Sequence, residues 1–231
     1  MKNIIEKLIK SDNSYTSVIN VDEFVKAAEK AFDCERNGVT TFEPWELPKD
    51  LPKEYNIGVI YGASGSGKSI LLDEFRGSKE RLPEWDNSKA IVSHFVTPDD
   101  AINKLSAVGL NSIPSWYKPY NVLSNGEKFR ADLSRSIQDG ACIDEFTSVV
   151  DRNVAKAASM AISKYIKRNN IKNVVLATCH EDVLDWLEPD WVINTNTGEV
   201  YDVNFIKDQT SISKYIEQTI VSGQCLKIIT I

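Results

Sequence analysis

The chain has 231 residues, 42% hydrophobic and 26% charged, enough for one good-sized core with a modest extension. Its 33 acidic residues outweigh 27 basic ones, a formal charge of −6 that argues against a general polyanion-binding surface but leaves room for a local basic patch. No run approaches about twenty apolar residues, so no membrane insertion is expected. Cys34, Cys142, Cys179 and Cys225 lack CxxC spacing, and His94 and His180 are the only histidines, so disulfides and zinc are not expected and a cytoplasmic location is.

In chain order, residues 1–33 read as two short helices around the polar linker SDNSYTS, the second with Val21, Phe24, Val25 and Ala28 at helical spacing. Residues 37–53 hold three prolines, and a boundary is expected there. From Tyr55 the texture alternates. NIGVIY reads as a strand, GASGSGKS as a Gly-rich turn and SILLDEF as a helix. AIVSHFV comes next as a strand, then Pro98 to Val108 as a helix, Ser124 to Gln138 as a third helix and ACID as a short strand. Residues 153–168 form an amphipathic helix with Val154, Ala158, Ile162 and Ile166 inward. NVVLATC has no polar alternation, as suits a strand covered on both faces, and WVINTN with EVYDVNF reads as a terminal hairpin. This order predicts an α/β fold on a mostly parallel sheet.

Gly62-Ala63-Ser64-Gly65-Ser66-Gly67-Lys68-Ser69 fits G-x-x-x-x-G-K-[ST] at every fixed position. The glycines let backbone N–H groups wrap a phosphate, and the succeeding helix presents its N-terminus to the same anion. In a P-loop NTPase Lys68 reaches the β- and γ-phosphates of ATP and the Ser69 hydroxyl binds Mg²⁺.

Four downstream features narrow the chemistry. Asp144 and Glu145 end the short apolar strand, where one carboxylate can hold Mg²⁺ and the other can activate water. Leu123-Ser124-Asn125-Gly126-Glu127 opens a helix with a serine cap, a second free helix N-terminus. Asp151 lies a few residues further on, in TSVVD, and His180 comes just after the strand VVLAT.

In this order and spacing the four features resemble the ABC-type ATPases from about Tyr55 to Asn204. LSNGE looks like the signature motif, CIDE like the Walker B strand with its catalytic Glu145, TSVVD like the D-loop and His180 like the switch histidine. The resemblance implies an ABC-type cassette whose copies pair head to tail around ATP and Mg²⁺ as an ATP-dependent homodimer. Ser124, Gly126 and Asp151 then belong to the nucleotide interface, Asp144 and Ser69 to the metal, and Glu145 and His180 to catalysis. The combination LSNGEKFRADLSRSI, DEFTSVVDR and DWLEPDW further resembles a soluble group of such ATPases that occur alone or fused to an acetyltransferase-like domain, including in phages.

The sequence departs from the family at several points. Phe146 replaces a proline, Asn125 and Glu127 replace Gly and Gln of the signature, and no Gln comes after AIVSHFV; His94 or Thr97 are the candidates to stand in for it. Lys68 to Ser124 is short, which predicts a shortened helical arm and weakens a membrane-transporter reading. Phe42, Trp45 and Tyr55 are candidates to stack on adenine, or else pack the Pro-rich segment against the sheet. Lys128, Arg130 and Arg135 are a basic cluster on the signature helix, a nucleic-acid contact or a solvated face. The expected organisation is an N-terminal helical extension (residues 1–53), an ATPase domain (54–205) and a tail (206–231). An ATPase acting on a protein or nucleic-acid partner leads; a slow ATP-gated regulatory module and a phosphotransferase are the alternatives from other classes.

Overall fold

The computed structural model describes residues 4–33, 38–77, 84–203 and 212. Its strands are β1 (Ile4–Lys7), β2 (Tyr15–Val18), β3 (Val39–Phe42), β4 (Ile57–Tyr61), β5 (Cys142–Ile143), β6 (Val174–Thr178), β7 (Trp191–Asn194) and β8 (Glu199–Asp202). Its helices are α1 (Glu23–Phe32), α2 (Lys68–Arg76), α3 (Pro98–Ala107), α4 (Ile113–Trp116), α5 (Asn125–Ser136), α6 (Arg152–Arg168) and α7 (Val183–Leu187).

Apolar runs without alternation need cover on both faces, and they get it. Six strands form a sheet in the order β1-β8-β7-β4-β6-β5, with β7, β4, β6 and β5 parallel and the β8 and β1 edge antiparallel. Every residue of β6 and β7 is buried. On one face Ile60, Val175, Ala177 and Ile193 pack with Leu71 and Leu72 of α2. On the other, Val59, Leu176 and Val192 join Leu105 of α3, Leu133 of α5 and Ile162 of α6. The fold is therefore α/β on a mixed, mostly parallel sheet, as predicted.

Two predicted elements take other forms. Among the described residues the helical extension holds one helix: the first predicted helix is strand β1, which pairs with β8, and Leu8 beyond it is buried in the core beside α2. The open edge of β8 offers ladder hydrogen bonds that outweigh the weak helical spacing of IIEKLI. The second helix, α1, forms with Asp22 as its cap but buries none of its residues, and Phe24 and Phe32 are 77% and 82% exposed. In chain order it falls between β2 and β3, which pair as a separate two-stranded ribbon. AIVSHFV is likewise not a strand but a 3₁₀ turn over Ile91–His94. The Ile91 amide there donates to the Lys118 carbonyl, outside any strand ladder.

From Tyr55 on the remaining predicted elements stand within a residue or two, except that β8 ends at Asp202 while EVYDVNF runs on to residues outside the described ones; the polar linker SDNSYTS overlaps strand β2. Among the described residues no helix is long and apolar enough to cross a membrane. Cys142 and Cys179 carry no disulfide, and Cys34 and Cys225 lie outside the described residues, as does the tail apart from Ile212.

The sheet packs closely at Gly58, where an added Cβ would lie 2.0 Å from the Trp191 ring. That indole is fully buried between Tyr55 and Phe75, at ring-centroid distances of 5.2 and 5.5 Å. Gly58→Ala should therefore destabilise the fold by about 1–3 kcal/mol through overpacking, read as a lower denaturant midpoint. An unchanged midpoint would mean that Trp191 is free to move.

Candidate functional site

The parallel strands deliver their C-terminal ends to one edge of the sheet, where the candidate residues collect. β4 ends at Tyr61, the loop runs from Gly62, and α2 begins at Lys68 behind its cap Gly67. The loop is anchored on three sides. Gly62 N–H donates to the Thr178 carbonyl at 3.4 Å, Ala63 N–H to Asn196 Oδ1 at 2.9 Å, and Ser66 Oγ lies 2.6 Å from Thr195 Oγ1. A Cβ on Gly62 would fall 2.1 Å from Thr195 Oγ1, so no larger residue fits. Gly67 has φ +93°, a left-handed conformation that glycine takes without steric cost, with the Phe42 ring against it. Lys68 Nζ reaches across the loop to the Ala63 carbonyl at 2.7 Å.

Phe42, Ser64, Gly65, Gly67, Lys68, Ser69, Ile70 and Glu145 line one cleft of about 240 Å³. A helix N-terminus, a Gly-rich loop, an ammonium and a hydroxyl suit a polyphosphate. A carboxylate facing the same space suits water activation. Of the three aromatic candidates only Phe42 lines this cleft. Trp45 donates its indole N–H to the Thr195 carbonyl at 3.0 Å and carries the Lys10 ammonium 3.6 Å above its ring, while Tyr55 packs edge-on against Trp191.

Asp144 and Glu145 stand exposed at the tip of β5, with Asp144 Oδ1 accepting the Glu145 N–H at 2.8 Å. Glu145 and Thr147 hold φ of +50° and +68°, sparsely populated for residues with a Cβ. Thr147 is fully buried, and its hydroxyl has no partner among the described residues. Asp144 and Glu145 also line a neighbouring cleft of about 380 Å³ between α5 and β5. Among the described residues no three carboxylates, histidines or cysteines cluster to hold a metal unaided. Ser69 lines the P-loop cleft and Asp144 the neighbouring one; both are hard oxygen donors of the kind that hold Mg²⁺ together with phosphate oxygens and water, so their chemistry suits that ion.

Ser124, Gly126, Asp151 and His180 do not line the P-loop cleft. Ser124 caps α5 in a reciprocal capping box: Glu127 N–H donates to its hydroxyl, and Glu127 Oε2 accepts its N–H at 2.9 Å and its hydroxyl at 2.8 Å. Ser115, buried, donates to the other Glu127 oxygen. That serine's hydrogen bond, then those of Ser124, pull the Glu127 carboxyl down to about 2. The extra carboxylate of the signature is thus tied into its own helix start. Asp151 caps α6, accepting from Asn153 and Val154 N–H. His180 is half-buried just past β6, its N–H donating to Thr178 Oγ1 at 3.1 Å.

Neither candidate for the absent Gln is at liberty. His94 Nε2 accepts from Asp86 N–H at 3.1 Å and Nδ1 lies 3.0 Å from the Ala90 carbonyl, while Thr97 caps α3. Two of the three basic residues on α5 lie over rings, Lys128 over Tyr120 and Arg135 over Trp85. Those rings stack on each other at 5.1 Å, and both bond Asp132 of α5. Sequence reasoning missed Thr178, Thr195, Asn196 and Ser115, ordinary polar residues whose role depends on which strands are neighbours.

No family model and no curated protein matches the chain. Solved structures do. A dimeric ATP-binding cassette, MJ0796, in a post-hydrolysis state bound to ADP and Pi, aligns with a TM-score of 0.52 at 13% identity, over 87% of this chain and 97% of that one. An ABC transporter ascribed to the metal-chelate type, in an inward-facing conformation, gives 0.51 at 18% identity, over 84% and 85%. At these identities the likeness establishes the fold, that of an ABC-type P-loop cassette.

Glu127 has a pH signature. Its folded pKa lies below the ordinary 4.5, so its contribution is present above pH 4.5 and fades as the pH falls toward 2. Glu127→Ala should cost about 1–2 kcal/mol at pH 7, with the difference from wild type closing in acid, as measured by thermal melts across that range. A constant gap down to pH 2 would show that the carboxylate charge is not what holds the cap.

Proposed function

We propose that the chain is a Mg²⁺-dependent ATPase, hydrolysing ATP to ADP and phosphate, whose copies close head to tail on the nucleotide and thereby act on a protein or nucleic-acid partner. The observation that carries this reading is that Glu145 faces the cleft made by Lys68 and Ser69. A module that only held nucleotide would not need a carboxylate there.

In this reading Gly62 to Ser69 wrap the phosphates, Lys68 pairs with the β- and γ-phosphates, and the Phe42 ring stacks on the base. Glu145 accepts a proton from the attacking water, and His180 steadies that water against the γ-phosphate. Mg²⁺, held by Ser69 and Asp144, would neutralise charge on the phosphates. Residues 54–205 carry this machinery, residues 1–53 supply Phe42 and the sheet edge, and residues 206–231 form a tail.

Ser124, Gly126 and Asp151 lie apart from the P-loop cleft of their own chain, as they must if they complete the site of a second copy. Gly126 supports this. An added Cβ there would meet nothing nearer than Arg130 Nη2 and Val154 Cγ1, both at 4.0 Å. Nothing in the chain's own packing therefore requires glycine in this helix, where it costs about 0.5–1 kcal/mol relative to alanine. A surface approached closely from outside would require it. The cassette dimer bound to ADP and Pi supplies the precedent for both the pairing and the chemistry.

Glu145→Gln should bind ATP without turning it over, and its solution mass should double only with Mg·ATP. Lys68→Ala serves as the control that removes the phosphate-binding cation. A Glu145→Gln monomer indifferent to ATP would refute the paired mechanism. Gly126→Ala should raise stability by about 0.5–1 kcal/mol while lowering ATP-driven pairing; an unimpaired, more stable variant would remove Gly126 from the interface.

A further inference from the structure

Thr178 is the last residue of β6 and only 1% exposed, in a strand otherwise made of Val174, Val175, Leu176 and Ala177. A packing role there asks for valine. Thr178 instead bonds three segments at once. Its hydroxyl donates to the Phe146 carbonyl at 3.0 Å and accepts the His180 N–H at 3.1 Å, and its own carbonyl accepts the Gly62 N–H at 3.4 Å.

The Phe146 contact is the telling one. Phe146 sits between Glu145 and Thr147, both in left-handed backbone conformations that persist only where their surroundings impose them. β6 grips Phe146 by both backbone groups: its N–H donates to the Ala177 carbonyl at 2.8 Å, and its carbonyl accepts from Thr178. A proline at this position could not make the first bond. Because Glu145 is the preceding residue, this grip holds the backbone from which its carboxylate projects.

We propose that Thr178 is a positioning residue that holds Glu145, His180 and the phosphate loop as one unit, an inference that rests on the catalytic roles given above to Glu145 and His180. Removing the hydroxyl while keeping the shape frees the Glu145 turn and the His180 backbone together. The P-loop stays anchored, because its bond to Thr178 uses the main-chain carbonyl. Nucleotide binding and turnover should then separate, as a misplacement of about 1 Å at a reacting group costs up to about a hundredfold in rate.

The test compares Thr178→Val with Thr178→Ser in steady-state ATP hydrolysis by the full chain, with melts to show that each variant is folded. The expected result is a loss in kcat of about ten- to a hundredfold for the valine variant, KM for ATP within about twofold of wild type, and recovery in the serine variant. A folded valine variant with wild-type kcat overturns the proposal, and so does a kcat loss that serine does not rescue. If valine prevents folding, cysteine against serine makes the same comparison with a weak donor of similar shape; equal kcat in those two overturns it. Wild type without hydrolysis would overturn the ATPase reading and this proposal together. An active wild type, inactive Glu145→Gln and fully active Thr178→Val would overturn this proposal alone.

Discussion

Parallel pairing of β4 with β6 on one side and β7 on the other is the constraint on which everything else rests. Strands that run the same way finish at the same edge, so the residues just past their ends become neighbours whatever their distance in sequence. The loop after β4 is the Gly-rich turn, the residues after β7 brace it through Thr195 and Asn196, and β6 ends in Thr178 with His180 two residues beyond. β5, only two residues long, pairs with β6 and brings Asp144 and Glu145 to the same edge. Fully buried strands make this alignment stiff, because each apolar face is covered by helices.

The elements most legible in the sequence are those whose signal is local. The Gly-rich loop needs particular residues at particular spacings, and β4 and β6 are apolar up to their last residues because both faces are covered. Ser124 and Glu127 announce their helix start by a reciprocal cap that a separation of three residues suffices to specify. β1 was not legible, since its pairing partner lies almost a whole chain away and its own residues suit a helix as well. Ile91–His94 misled for a related reason: an apolar run becomes a strand only if a sheet edge stands beside it. Within the site, Lys68, Ser69 and Glu145 could be named from sequence, and they share a cleft. Thr178, Thr195 and Asn196 could not, because threonine and asparagine at strand ends become significant only through the strand order.

Helix α5 shows how a carboxylate in the first turn of a helix can be absorbed. A carboxylate at position 127 would repel a phosphate if it pointed outward, yet it is saturated by donors from Ser124 and Ser115. Phe146, in place of a proline, keeps an N–H that β6 uses, and its ring rests 5.8 Å from that of Phe129 on the same helix as Glu127. The stacked Trp85 and Tyr120, both bonded to Asp132, fasten the preceding segment to this helix from the other side.

The place of β1 has a consequence for how the molecule is made. Of the described elements it leaves the ribosome first, but its strand partner, β8, is among the last of them to emerge. At about 5–20 residues per second of synthesis, β1 waits many seconds with its ladder unfilled. The segment after it carries Phe42 to the Gly-rich loop and Trp45 to the turn between β7 and β8, and Leu8, at its start, bonds Gly198 in that same turn. The Gly-rich loop thus acquires the ring that packs on Gly67 only after the sheet edge has closed on β1, so a chain stalled before β8 leaves that loop without its aromatic cover.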